Sequence, residues 1–180
     1  MASHEEKEEV RKRLGLAVQI LAEGMTPSLV PGTGSNIGYA LPGARTPVDV
    51  AGVTGGIMRG GDGVRPAGEV AFGAAGGAAR VVLTAMRTDP GIRSGAVIAY
   101  SGVVLATLDD LLLEICEFDR AREPPGVSTM DWGVASCCRE GVPDVIFDRG
   151  TAEKEPLIRI LGEEPVSVAR TVVAISHRLS

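Results

Sequence analysis

Histidine is almost missing from this 180-residue chain: the only two are His4 and His177, each a few residues from a terminus. A Ser-His-Asp triad, a Cys-His dyad or a His-ligated zinc site therefore has almost no material. Any chemistry has to rest on carboxylates, Lys, Arg and backbone amides. Aromatic residues are also scarce, at 3%, while Gly numbers 24. The core must then be built of Val, Ile, Leu and Ala around many tight turns, which points to α/β or α+β and away from a helical bundle. Cysteine is limited to Cys116, Cys137 and Cys138. An odd number with an adjacent pair does not make a secreted disulfide framework, so reduced, packed thiols are expected. No apolar run reaches the roughly eighteen residues of a membrane span. Residues 1–13 are charged and lack the apolar centre of a signal peptide, so a cytoplasmic location and no membrane partner are expected. The formal charge of -5 argues against direct nucleic-acid binding by a basic face. It leaves room for an anionic small molecule, which needs only a few local cations.

The length and the 44% hydrophobic content fit one soluble domain. Val10, Leu14, Ala17, Val18 and Leu21 recur at helical spacing, so residues 1–24 are read as an amphipathic helix, capped near Gly24, packed on a domain of residues 25–180. Pro31-Gly32-Thr33-Gly34-Ser35-Asn36 is either an anion-wrapping loop or a plain turn before a strand at Ile37 to Leu41. Strand material follows at Val48 to Val53 and Ile57-Met58. A hairpin or loop is expected at Gly60 to Gly63, and another strand at Glu69 to Gly73. Ala74 to Met86 reads as a helix whose glycine-rich start, Gly73 to Gly77, lets a ligand approach the helix amino end. Ser94 to Ser101 reads as a strand, and Thr107 as the N-cap of a helix running to Leu113. A strand at Glu114 to Asp119, helices at Met130 to Arg139 and Pro165 to His177, and no simple alternation of strands and helices together predict a mixed sheet with helices on both faces.

The most informative stretch is Pro143 to Gly162. Val145-Ile146-Phe147 and Leu157-Ile158-Arg159-Ile160-Leu161 are short β-branched runs, read as strands. Asp148, Arg149, Gly150, Glu153, Lys154 and Glu155 lie between them. Charges at strand ends are common binding groups in α/β proteins, and a solvated connection with surface ion pairs is the competing reading.

Seven segments, in order, resemble the ThiN-type thiamine-phosphate synthase domain: Val30 to Pro42, Val50 to Arg59, Phe72 to Met86, Asp89 to Ser94, Phe118 to Pro124, Thr129 to Gly133, and the stretch just described. The resemblance covers nearly all of the chain after the first helix. That family occurs fused behind a pyrimidine kinase, fused to a DNA-binding domain, or alone. The resemblance implies a three-layer α/β/α fold with a mixed, largely antiparallel sheet, similar to the class II aldolase architecture. It also implies a reaction: hydroxymethylpyrimidine diphosphate and hydroxyethylthiazole phosphate give thiamine phosphate and pyrophosphate, with Mg2+ and basic side chains neutralising the leaving group. No protein nucleophile is needed.

The chain departs from the family pattern where catalysis should be helped. The family's catalytic Arg and His positions read Gly56 and Gly77. Its polar and cationic residues in the following strand are replaced in Val97 to Ser101. The expectation is therefore a noncatalytic domain that binds thiamine phosphate as a sensor, with no permanent cofactor and no protein metal site. The alternative is a working synthase that uses Mg2+ with cations such as Arg59, Arg80 or Lys154. Its ligands would be thiamine phosphate or the pyrimidine and thiazole phosphate precursors, and a homodimer or a DNA-binding partner domain is a further possible association. The resemblance implies a ligand site built from Ser35, Asn36, Gly73, Asp119, Arg120, Glu123, Met130, Trp132, Asp148, Lys154 and Glu155. In it Lys154 meets a phosphate, Asp148 and Glu155 orient that lysine, and Met130 with Trp132 packs an aromatic ring.

Overall fold

A computed structural model describes residues 2–125 and 131–179. The chain opens with helix α1 (His4–Gly24). Ser3 and Glu6 close it reciprocally, each side chain accepting the other's backbone N–H. The predicted stripe of Val10, Leu14, Ala17, Val18 and Leu21 is buried. After a short turn come β1 (Asn36–Ala40), β2 (Val50–Val53) and the hairpin β3 (Ile57–Gly60) and β4 (Gly63–Pro66), then β5 (Val70–Phe72). Helix α2 (Gly77–Thr88), β6 (Ser94–Ala99), α3 (Gly102–Asp110) and β7 (Ile115–Glu117) follow. The chain ends with α4 (Trp132–Cys137), β8 (Val145–Phe147), β9 (Leu157–Gly162) and α5 (Pro165–Leu179).

Seven strands form one sheet in the order β5-β2-β1-β6-β9-β8-β7, while β3 and β4 form a separate ribbon. Only the β7–β8 pair is parallel; the other five pairs in the sheet are antiparallel. Helices α1 and α5 cover one face, where Leu14, Leu21, Ile37, Ile98, Ile158 and Ile175 make the main core. Helices α2 and α4 cover the other through two smaller clusters, one around Val50 and Val82, the other around Phe118 and Ile146. The expected three-layer arrangement with a mixed, largely antiparallel sheet is what the chain adopts. Glu164 joins the two helices of the first layer: its carboxylate accepts the amides of Val166 and Ser167 at the start of α5 and pairs with Arg13 of α1 at 2.8 Å.

Several local expectations need correction. Helix α3 starts at Gly102, because the Ser101 hydroxyl, not Thr107, accepts an orphan amide, that of Val104. Thr107 lies inside the helix and donates to Val103 O. Asp109 and Asp110 consequently sit at its carboxyl end, and the helix stops before Leu112, which has φ 59° and is exposed. Val48 is not in a strand, since Pro47–Asp49 forms a 3-10 turn closed by Thr46 and Asp49. The thiols also differ from expectation: Cys116 of β7 and Cys137 of α4 form a disulfide, and Cys138 is a buried free thiol. Cys137 ends α4 against Cys116 of the edge strand, while Cys138, just past the helix, is buried in the core cluster around Phe118. Burial pushes the Cys138 thiol up to about 11, which keeps it protonated and unreactive.

Gly52 fixes how close α2's leading loop comes to the sheet, since a Cβ there would lie 2.2 Å from the Ala75 backbone. Neither backbone can yield cheaply. Gly52→Ala is expected to destabilise the domain by about 2 kcal/mol or more, read as a lower midpoint in urea unfolding; an unchanged midpoint would show that this contact is loose.

Candidate functional site: an arginine-lined cleft

One end of the sheet gathers the loops before β1, after β2 and before α2, with the first residues of β9, around a cleft of about 480 Å³. Its lining includes Ser35, Asn36, Gly56, Gly76, Gly77, Arg80, Arg120, Asp131 and Arg159. Glycines bring the backbone to this edge. Gly73 and Gly76 have φ of 82° and 57°, turning the chain sharply into α2, and no side chain caps that helix. The Ala78 and Ala79 amides donate to Ala75 O and Gly76 O, so it is the positive end of the helix dipole at the cleft that favours an anion.

Asn36 is spent on architecture. Its amide donates to Val53 O at 3.0 Å and Ala74 O at 2.9 Å, and its oxygen accepts from Ile37 N and Val53 N. This ties β1, β2 and the α2 loop together, and only limited capacity remains for a ligand. The Ser35 hydroxyl donates to Val97 O, so it too has a structural partner.

The floor of the cleft rests on Asp148, whose carboxylate is completely buried. It accepts from Arg120 Nε and Nη2 at 3.1 and 3.0 Å, Arg159 Nη1 at 2.9 Å, and the Gly150 amide at 2.8 Å. Burial alone would raise its pKa. Hydrogen bonds from Arg120 and the charge of Arg159 outweigh that, holding the carboxyl below its usual range. The same hydrogen bond raises the pKa of Arg120. Both guanidiniums lie over the Phe118 ring, at 4.9 Å for Arg159 and 5.7 Å for Arg120. Phe118 in turn meets Trp132 edge-on at 6.3 Å.

Beside the cleft, a recess of about 250 Å³ is lined by Arg120, Glu123, Pro124, Pro125, Thr151 and Lys154. Arg120 thus borders both. Lys154 Nζ stands 3.8 Å from Glu123, which also faces Arg120 at 4.0 Å. Glu123, and not Asp148 or Glu155, orients this lysine, because Asp148 is occupied by two arginines. Glu155 instead accepts the Gly32 amide at 2.8 Å, binding the loop before β1 to the loop before β9.

The structure brings Ser35, Asn36, Gly56, Gly77 and Arg120 together at the cleft, places Asp148 beneath it, and sets Glu123 and Lys154 in the recess. Gly73 shapes the turn into α2 without lining the cleft. Asp119 does not join them: it accepts the Ala121 amide, stands 3.7 Å from Arg122, and is largely exposed. Trp132 is partly buried, packs edge-on against Phe118 beside the core cluster, and does not line the cleft. Met130 lies outside the described residues. Arg59 donates to Val30 O at 2.9 Å, outside the cleft lining, while Arg80 is part of it. Arg159 and Phe118 were missed as site residues. An arginine centred in an otherwise apolar strand was the available signal, since a buried cation requires a buried partner.

Gly56 and Gly77 differ physically. Gly56 has φ 79°, and a Cβ there would meet Ser35 O at 2.7 Å; around a Cβ on Gly77 the space is open. Among the described residues no group of three or more His, Cys, Asp or Glu is placed to hold a metal ion. Near the cleft, Asp148 is committed to arginines and Asp131 caps α4 through the Val134 amide.

A sequence model of the family described as "Thiamine-phosphate synthase ThiN" matches residues 13–174. The chain belongs to the ThiN family. It is 40% identical over 172 residues to the "Bifunctional thiamine biosynthesis protein ThiDN" of Methanocaldococcus jannaschii, covering 94% of this chain and 41% of that protein. It thus spans well under half of that relative's length. It is 31% identical over 157 residues to the "Thiamine-phosphate synthase ThiN" of Methanothermobacter thermautotrophicus, covering 83% of each. A crystal structure titled as the C-terminal domain of phosphomethylpyrimidine kinase superposes with a TM-score of 0.89 at 32% identity, over 94% of this chain and 99% of that one. An aldolase II superfamily protein from Pseudomonas syringae reaches a TM-score of 0.50 at 11% identity, over 96% of this ThiN chain and 75% of its own, a likeness of fold alone. No helix among the described residues is long and apolar enough to cross a membrane.

Because the folded-state pKa of Asp148 lies below the ordinary carboxylate value of about 3.9, its stabilisation is fully present above that pH and lost as pH falls below it. Asp148→Asn removes the buried charge that two arginines share and is expected to cost about 3–5 kcal/mol at neutral pH. In urea unfolding the gap to the parent chain should narrow toward pH 3, and a gap independent of pH would contradict this role.

Proposed function

We propose that this domain binds thiamine phosphate in the arginine-lined cleft as a sensor and does not make it at an enzyme's rate. The observation that carries this reading is position 56. Its backbone, at φ 79° with Ser35 O 2.7 Å from any added Cβ, suits glycine and not the arginine of the family pattern. At Gly77 there is likewise no side chain to donate a proton. Loss of one pre-organised donor or cation costs roughly a hundredfold or more in rate. What remains suits holding an anion: Arg120 and Arg159, fixed by Asp148, line one small cleft together with the positive end of the α2 dipole. The phosphate is assigned to that region, with Lys154 at the edge of the adjoining recess.

The second reading is an active synthase. It is favoured by the identity to the ThiDN and ThiN relatives and by Arg80, Arg120 and Arg159 lining the cleft, since departure of pyrophosphate depends on total charge neutralisation. The reaction would need no protein nucleophile: the thiazole nitrogen forms the new bond to the pyrimidine methylene carbon as the bond to pyrophosphate breaks.

One experiment separates the two. The purified chain is mixed with both phosphorylated substrates and Mg2+, thiamine phosphate formation is followed, and product binding is measured by calorimetry. Micromolar binding without turnover is expected; turnover at an enzyme's rate would establish the synthase. Lys154→Ala is expected to weaken binding about threefold to tenfold, as for loss of one partly exposed charge contact. Unchanged affinity would make that lysine a surface charge only.

A further inference from the structure

A second and larger cavity lies outside the cleft, on the outward side of α2 where the turn at residues 43–47 crosses it. Its volume is about 790 Å³, within the range of small-molecule sites. Its charged groups are Arg45, Arg80 and Arg87, and no acidic residue lines it. The nearby Asp49 carboxylate is turned to the backbone amides of Arg45 and Thr46, which closes the turn without pairing the guanidiniums. Among the described residues, neither Arg45 nor Arg87 takes part in an ion pair. The floor is apolar: Ala44 and Leu83 pack against buried Met86.

Arg45 and Arg87 are exposed and stand at one groove with no carboxylate in its lining, a local positive patch on a chain whose net charge is -5. Guanidiniums match phosphate oxygens in forked geometry, and they also lie flat against rings. An apolar floor with cationic walls is complementary to an anion that carries a flat apolar body. An inorganic ion would leave that floor uncovered.

We propose that this groove is a second ligand site, separate from the cleft, that takes a small phosphorylated molecule with an aromatic body, a nucleotide in chemical class. Arg45 and Arg87 hold the phosphates, and the ring covers Leu83 and Met86. Arg80 borders both cavities, so it is left intact in the test.

The probes are a fluorescent N-methylanthraniloyl derivative of ATP, followed by anisotropy, and unlabelled ATP and inorganic pyrophosphate as competitors. The parent chain is expected to bind the nucleotide, with ATP competing about tenfold better than pyrophosphate because of the apolar floor. The double variant Arg45→Ala, Arg87→Ala is expected to lose about tenfold or more in affinity. A control that removes the same charge elsewhere, Lys12→Ala with Arg65→Ala, should keep the parent's affinity. All four positions are exposed, and thermal melting of each variant confirms the fold. The proposal is overturned by equal affinity in the groove variant and the parent, by an equal loss in the control, by pyrophosphate competing as well as ATP, or by no binding up to about 1 mM probe.

Discussion

A single buried carboxylate organises the functional end of this molecule. Asp148 is fully buried, yet it takes hydrogen bonds from two guanidiniums and one backbone amide. Taking three charged groups out of water costs several kcal/mol per ion, and only close geometry with every lone pair used repays it. Two cations share this anion, and Arg120 also meets Glu123 at 4.0 Å. What the cluster gives the open cleft is therefore a pair of fixed guanidinium donors, a geometry that suits phosphate oxygens.

The rest of the site is arranged around that floor. Phe118 supports both arginines from below, and Gly133 is what lets α4 approach that ring, since a Cβ there would come within 2.2 Å of Phe118 Cζ. Glu155 and Gly32 join the loops before β9 and β1, and Asn36 joins β1 and β2 to the loop before α2. Each of these polar side chains looked like a ligand contact in one dimension and serves as a brace in three. The cleft is therefore rigid at its walls and cationic at its floor. On the proposed reading this suits recognition, with Gly56 and Gly77 standing where the family pattern has its Arg and His.

Much of the fold could be read from the pattern of residues. The stripe from Val10 to Leu21, the two short strands around Asp148 and the final helix were all visible because apolar periodicity and burial agree there. The errors have local causes. Val103 and Val104 gave α3 no helical signal of their own, so its start depended on the Ser101 cap. The disulfide between Cys116 and Cys137 joins an edge strand to a helix packed beside it, a proximity that exists only after folding. Charged residues in the loops marked the right end of the sheet but not the right roles. Which acid meets which base depends on depth: Asp148 lies beneath the cleft with Arg159, whereas Glu155 and Lys154 lie at the rim. The family segments supplied the proposed ligand class, and the backbone at Gly56 added a physical reason, invisible in the sequence, why an arginine does not suit that position.

The central claim is that the Asp148-held arginines and the amino end of α2 form the phosphate seat of a thiamine phosphate site. The most direct measurement is a crystal structure of the chain grown with thiamine phosphate. The account predicts the phosphate in the cleft, within hydrogen-bonding distance of Arg120 or Arg159 and of the first amides of α2. A phosphate bound elsewhere on the molecule, with this cleft empty, would contradict it.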